Sequence, residues 1–183
     1  MNLPLGLASL QREAASGRKL PPVEKWNPAF CGEIDMRIAR DGTWFHQGSP
    51  IGRRELVRLF STILRKDADG FHLVTPVEQM RIAVEDAPFI AVLMDVEGEG
   101  RDQVLRFTTN VGDETVAGPD NPIRVETDPV TKTPAPYVHV RRGLEARIAR
   151  AVFYQMADLA VPRDDGVLGV WSSGEFFPIG RPE

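Results

Sequence analysis

Between Glu33 and Ala39 apolar and polar residues alternate. Ile34, Met36 and Ile38 point one way and Asp35 and Arg37 the other, the period-two signature of a half-buried strand. Asp41-Gly42 supplies a hairpin turn, and Thr43–Gln47 is the return strand. The period then changes. From Gly52 to Lys66, residues Leu56, Leu59, Phe60, Ile63 and Leu64 recur at i, i+3, i+4, i+7 and i+8, which predicts a helix. Further strands are predicted at Phe71–Thr75, Met80–Glu85, Phe89–Glu97, Gln103–Asn110, Ile123–Thr127 and Tyr137–Arg141, separated by Pro- and Gly-bearing turns. A second helix is predicted over Leu144–Ala160, with Leu144, Ile148, Val152 and Leu159 on one stripe. At the start of the chain, Leu3, Leu7 and Leu10 suit a short helix over Leu3–Ala15 that stops at Gly17. Pro21-Pro22 forces an extended link after it.

Strands in runs with few helices between them define an α+β class with mainly antiparallel sheet. A strand-strand-helix order occurs twice: Ile34–Ala39, Thr43–Gln47 and the helix from Gly52, then Ile123–Thr127, Tyr137–Arg141 and the helix from Leu144. Both return strands carry an aromatic-x-histidine pair, Trp44-Phe45-His46 and Tyr137-Val138-His139. The expected organisation is an N-terminal helix and link over residues 1–20, a first α+β half over 21–85, a second over 86–160 and a tail over 161–183. Trp171, Phe176, Phe177 and Ile179 make that tail apolar enough to pack back on the body.

Composition narrows the function classes. Of 183 residues, 42% are apolar and 26% charged, which excludes wholesale disorder, and no apolar run is long enough for a membrane span. The net charge of −4 argues against a long nucleic acid as partner. One cysteine, Cys31, excludes an internal disulfide. Its apolar neighbours predict a buried structural thiol. The N-terminus lacks the charged start of a secretory signal, so a cytoplasmic location is expected.

No catalytic signature is present: no GxSxG elbow, no phosphate-binding loop and no HExxH. Asp67-Ala68-Asp69-Gly70 fails the register of a calcium loop and reads as a surface turn. No catalytic residue, metal ligand or cofactor is therefore assigned. The informative feature is where arginine gathers. Gly52–Lys66 holds five basic residues and one acid, and Arg54, Arg58, Ser61 and Arg65 share the polar face of the predicted helix. Arg141–Arg150 holds four arginines and one acid, whereas Glu85–Asp102 holds six acids and one arginine. Arginine's planar fork suits phosphate or carboxylate. A small anionic ligand is thus the expected partner, with Arg37, Arg58, Arg147 and Arg150 supplying charge. Trp44, His46 and His139 would supply stacking and hydrogen bonds. Two plainer readings use the same residues: solvated helix faces paired with acidic loops, and a half-buried second packing layer.

Longer strings carry a resemblance. Pro21-Pro22-Val23-Glu24-Lys25-Trp26-Asn27-Pro28, Cys31-Gly32-Glu33-Ile34-Asp35-Met36-Arg37-Ile38, Asp41-Gly42-Thr43-Trp44-Phe45 and Gly48-Ser49-Pro50-Ile51 are four of them. Leu56-Val57-Arg58-Leu59-Phe60-Ser61, Leu73-Val74-Thr75-Pro76-Val77-Glu78 and Val84-Glu85-Asp86-Ala87-Pro88-Phe89 continue the series. It ends with Thr109-Asn110-Val111-Gly112-Asp113-Glu114 and Leu144-Glu145-Ala146-Arg147-Ile148. From about Pro21 to Tyr154 the chain resembles the bacterial family of domain of unknown function 1285. The resemblance implies a duplicated core whose C-terminal half is loosely like a pleckstrin-homology fold. It also implies a cleft for a nucleotide-like ligand at the junction of the halves, and a role in signal transduction. It carries over no catalytic residue.

The expectation is a non-enzymatic binding or sensor protein for an anionic, nucleotide-like ligand. One alternative is an enzyme acting on a phosphorylated small molecule, with Asp35, Asp86, Asp113 or Glu145 as acid or base. The other is a protein-interaction module with no small ligand.

Overall fold

The first alternating segment is strand β1 (Phe30–Ile38), paired antiparallel with β2 (Trp44–His46), which pairs with β3 (Ser49–Pro50). In the computed structural model, which describes Gly6 and residues 20–181, the chain divides into two compact units, Met1–Asp86 and Ala87–Glu183. The first unit continues through helix α1 (Arg54–Thr62) into β4 (Leu64–Asp67), β5 (Gly70–Val74) and β6 (Gln79–Val84). Its sheet has the order β3-β2-β1-β6-β5-β4, every pair antiparallel except β1 with β6.

Period two sets which side chains enter the core. Met36, Ile38, Trp44, Leu64, Leu73, Met80 and Ile82 are buried, while their strand neighbours Arg37, Phe45, Arg65 and Arg81 are only part-buried. α1 adds Leu56, Leu59 and Phe60, and the Phe60 ring stacks on Trp44 with centroids 6.1 Å apart. Burying a side chain of that size contributes roughly 1.5–3 kcal/mol. The predicted helix over Gly52–Lys66 is shortened at its end. Ile63 terminates α1, its N–H bonding back to Phe60 and Ser61, and Leu64, Arg65, Lys66 and Asp67 form β4. Arg65 therefore leaves the helical face on which the sequence period put it. The helix predicted at Leu3–Ala15 lies outside the described residues except for Gly6, whose N–H donates to Glu78 Oε2 at 2.9 Å.

The second unit holds β7 (Phe89–Glu97), β8 (Val104–Thr109), β9 (Glu114–Val116), β10 (Ile123–Thr127), β11 (Pro134–Arg141) and β12 (Leu144–Ile148). Helix α2 (Arg150–Asp158) follows, then β13 (Val161–Pro162), β14 (Leu168–Ser172) and β15 (Glu175–Gly180) in a sheet of their own. The main sheet has the order β10-β11-β12-β7-β8-β9, with β12 parallel to β7. Set against the first unit, this is one topology used twice. Two three-strand meanders are joined by a parallel pair between the first strand and the last. The repeat therefore matches β1–β6 to β7–β12, which corrects the expected match of the first two strands with Ile123–Thr127 and Tyr137–Arg141. The helix differs in place: α1 joins the meanders of the first unit, and α2 follows those of the second.

The second correction concerns Leu144–Ile148, predicted as helix and found as β12. Leu144, Ala146 and Ile148 are buried and Glu145 and Arg147 part-buried, so period two governs where the i, i+4 stripe of Leu144, Ile148 and Val152 suggested a helix. The decisive local feature is the turn before it. Arg142 and Gly143 both have positive φ, +51° and +77°, the two-residue geometry that returns a strand on itself. Gln47-Gly48 repeats it between β2 and β3. Val170, Phe177 and Ile179 are buried, and Ser172 Oγ both accepts from the Leu105 N–H at 2.9 Å and donates to Ala117 O at 2.7 Å. Among the described residues no helix is long and apolar enough to cross a membrane.

Candidate functional site

The apolar stripe of α1 turns Leu56, Leu59 and Phe60 inward and leaves Arg53, Arg54 and Arg58 exposed. Arg53 is the N-cap residue, in extended conformation; its carbonyl accepts from the Leu56 and Val57 N–H groups at 3.1 and 3.2 Å and its side chain makes no cap hydrogen bond, so among the described residues the Arg54 and Glu55 N–H groups keep their donor capacity. Arg54 and Arg58 lie one turn apart on one face. None of the three guanidinium groups makes an ion pair, hydrogen bond or ring contact among the described residues. Glu55, the acid of that turn, pairs with none of them. Three unengaged guanidiniums beside the positive end of a helix form an arrangement suited to an anion.

The other expected ligand residues of the first unit are engaged or buried. Arg37 pairs with Glu85 (Nη1–Oε1 2.5 Å) and lies 4.3 Å over the Phe45 ring. The Arg40 N–H is the first cause holding the Glu85 carboxyl below its usual range, and Arg37 adds to it. Trp44 is 1% exposed and packed in the core, and its Nε1 has no hydrogen-bond partner among the described residues. His46 lies on the same core-facing side of β2, opposite Met36 and 6% exposed.

His139, Arg147 and Arg150 belong to the second unit. His139 is held on both ring nitrogens, by Asn121 and Gly143. Arg147 donates to Tyr137 Oη at 3.1 Å, and Arg124 lies over the same ring, 4.3 Å from its centroid. Arg124 in turn holds Glu145 bidentately, at 2.8 and 2.7 Å, and hydrogen-bonds Glu126, and these carboxylates push its pKa upward. Arg150 donates to Tyr154 Oη at 2.7 Å, so it shares a face with Tyr154 but not with Arg147, which is on a strand. Arg141 sits over Phe89 and pairs with Asp113 at 3.0 Å; burial pushes its pKa down.

A second polar cluster escaped sequence reasoning because its members come from four strands, β1, β4, β5 and β6, and the turn between β4 and β5. His72, 1% exposed on β5, faces Asp69 through Nε2 (2.9 Å) and Gln79 through Nδ1 (3.2 Å). Gln79 Nε2 also donates to Asp67, and Arg65 grips both Asp67 oxygens. Arg81 bonds the second Asp69 oxygen and reaches Glu33. One ligand atom each from Asp67, Asp69 and His72 lie within 4.8 Å of one another, donor types that suit a divalent ion. The carboxylate oxygens, however, already accept from arginine, glutamine and histidine, so the arrangement acts as an ion-pair network. Cys31, expected buried, is exposed on β1, with its Sγ 3.3 Å from Ala29 O.

The His72 bond, followed by Arg81, holds the Asp69 carboxyl at about 2. A depressed carboxyl adds stability that is present above the unfolded value near about 4 and is lost as pH falls toward 2. Urea midpoints followed from pH 5 to pH 2 should fall through that window. Asp69→Asn should flatten the fall; an unchanged profile would remove Asp69 from the linkage.

Fold and site together define a duplicated, mixed-sheet α+β protein with an arginine-bearing helix start in its first unit and no assembled catalytic group among the described residues. The chain belongs to the DUF1285 family. Residues 21–87 match "Domain of unknown function (DUF1285), N-terminal domain" and residues 88–179 match "Protein of unknown function (DUF1285), C-terminal domain". The crystal structure of a DUF1285 family protein from Silicibacter pomeroyi DSS-3 is similar at 57% identity and a TM-score of 0.88, covering 94% of each chain. That of a DUF1285 family protein from Shewanella baltica OS155 is similar at 26% identity and a TM-score of 0.52, covering 68% of this chain and 91% of the other. Among curated proteins there is no match.

Proposed function

We propose that this protein is a non-enzymatic binding or sensor protein for a small anionic ligand of the nucleotide class, acting in signal transduction in the cytoplasm. The anion contact in this reading is the start of α1. One observation carries it: Arg53, Arg54 and Arg58 are exposed and without an ion-pair partner among the described residues, whereas Arg37, Arg65, Arg81, Arg124 and Arg141 each hold a carboxylate. A phosphate bridging Arg54 and Arg58 gains charge-assisted bonds without breaking an internal pair. Two of the carboxylates considered for an enzyme, Asp113 and Glu145, are occupied by Arg141 and Arg124, which favours binding over catalysis. The exposed free thiol of Cys31 suits a reducing compartment.

The test is a thermal-shift screen with nucleoside mono-, di- and triphosphates and inorganic phosphate at about 1 mM. A ligand at about 100 times its dissociation constant adds roughly 2.7 kcal/mol of stability. Arg54→Ala with Arg58→Ala should abolish the shift while leaving the unliganded midpoint nearly unchanged, since both side chains are exposed. Absence of stabilisation by every probe at that concentration would count against the reading.

A protein-interaction module has one observation in its favour. Val96, Leu159, Val161 and Trp171 line a mostly apolar groove of about 260 Å³, and Val92, Leu93 and Val96 are exposed on β7.

A further inference from the structure

His139 is the point at which three segments of the second unit meet. Its N–H donates to Pro122 O at 3.1 Å, and its carbonyl accepts from Thr115 Oγ1 at 3.0 Å. Its ring lies between two turns. Nε2 is 2.9 Å from the Gly143 nitrogen, and Nδ1 is 2.9 Å from Asn121 Oδ1. The chemistry of the partners fixes the ring's state. A backbone N–H can only donate, so Nε2 must carry a lone pair. The single ring proton then sits on Nδ1 and is donated to the Asn121 oxygen. Only the neutral Nδ1–H form satisfies both contacts.

Both turns need that support. Arg142-Gly143 uses positive φ at a non-glycine residue, a conformation that costs Arg142 energy. Asn121 closes the turn from Gly118, their backbones exchanging bonds of 3.1 and 3.2 Å. The charged groups on the surrounding elements are already committed or lie outside the ring's two contacts. Glu145, opposite His139 on β12, gives both oxygens to Arg124 of β10. Arg141 on β11 is paired with Asp113. Arg142 in the turn, Glu114 on β9 and Asp120 beside Asn121 are exposed.

We propose that His139 is a pH-sensitive latch on the β11–β12 turn: the neutral ring holds Gly143 and Asn121 together, and protonation releases Gly143. Protonating Nε2 sets an N–H against the Gly143 N–H, so the bond that pins the turn becomes a clash of two donors. Histidine is a side chain in which one proton turns an accepting ring nitrogen into a donor, so the contact itself changes sign on protonation. The latch stands independently of the anionic-ligand reading, because it involves no residue of α1.

The experiment is NMR on the full chain with ring-labelled histidine, together with amide exchange at Gly143. At pH 7.5 the His139 ring should show a protonated Nδ1 and an unprotonated Nε2. As the ring titrates, protection of the Gly143 amide, corrected for intrinsic exchange, should fall about tenfold or more. His139→Gln, whose amide offers one acceptor and one donor with no charge change, should keep that protection constant from pH 8 to pH 5. A proton on Nε2 at pH 7.5, or Gly143 protection that ignores the ring's titration, overturns the proposal. If His139→Gln fails to fold, the wild-type ring and amide measurements decide it alone.

Discussion

Trp44→Ala should lower the stability of the protein by about 3–5 kcal/mol, the range for removing a large buried aromatic. The ring is 1% exposed and stacked on Phe60, so the cavity opens between the sheet and α1, where neither side can collapse without shifting the helix. Trp44→Phe should cost no more than about 1 kcal/mol. It gives up part of the ring volume but also removes the Nε1–H, a buried donor with no partner among the described residues, whose burial costs about 1–3 kcal/mol. Urea unfolding of the two variants separates these terms. If Trp44→Phe were as damaging as Trp44→Ala, the indole N–H would have to be making a favourable contact. If Trp44→Ala were mild, the residue would not be a core element and its face would be open to a ligand.

Arg65→Ala should cost about 3 kcal/mol, in the range measured when one member of a largely buried ion pair is removed. The guanidinium makes four bonds: Nε and Nη2 to Asp67 at 2.8 and 2.9 Å, and Nη1 to Val23 O and Trp26 O at 3.0 and 2.7 Å. Its side chain is 16% exposed, and the fully buried Val23 belongs to the short 3-10 turn Val23–Lys25 that Arg65 ties to β4. Removal leaves the Asp67 carboxylate with Gln79, takes the Arg65 bond from the Trp26 carbonyl and leaves the Val23 carbonyl with the Trp26 N–H alone, at 3.3 Å. Arg65→Lys should recover less than half of the loss, because an ammonium cannot hold a carboxylate with two parallel bonds and reach two carbonyls beyond it. Chemical denaturation measures the stability, and proteolysis within residues 20–29 reports whether that segment detaches. Full stability in Arg65→Ala would show that the segment is held by the apolar contacts of Val23 alone.

Arg65 also shows where sequence reasoning met its limit. By helical period it belonged with Arg54 and Arg58, because Ile63 and Leu64 continue the apolar stripe without a break in spacing. The hydrogen bond from Val74 N–H to Ile63 O draws the chain into the sheet instead, and one residue later the period is two. The same ambiguity hid β12. Leu144, Ile148 and Val152 satisfy a helical stripe, and Leu144, Ala146 and Ile148 satisfy a strand. Only the partners, β11 on one side and β7 on the other, choose between them. The repeat was legible as an order of elements. Its true match was not, because the parallel pairing of first strand with last is a contact between residues far apart in the chain.

Local chemistry did determine a great deal. The alternation at Ile34–Ile38, the turn at Asp41-Gly42 and the strand at Ile123–Thr127 follow from side-chain period and backbone preference, which act over a few residues. The inward residues of α1, Leu56, Leu59 and Phe60, follow in the same way. The surplus of arginine on the segment from Gly52 was equally visible. What tertiary structure alone decided is which arginines are occupied. Arg37 finds Glu85 and Arg81 finds Glu33, each 48 residues away, while Arg53, Arg54 and Arg58 find no acid among the described residues. An ion pair forms wherever folding brings opposite charges within a few ångströms, and composition cannot say which charges those are.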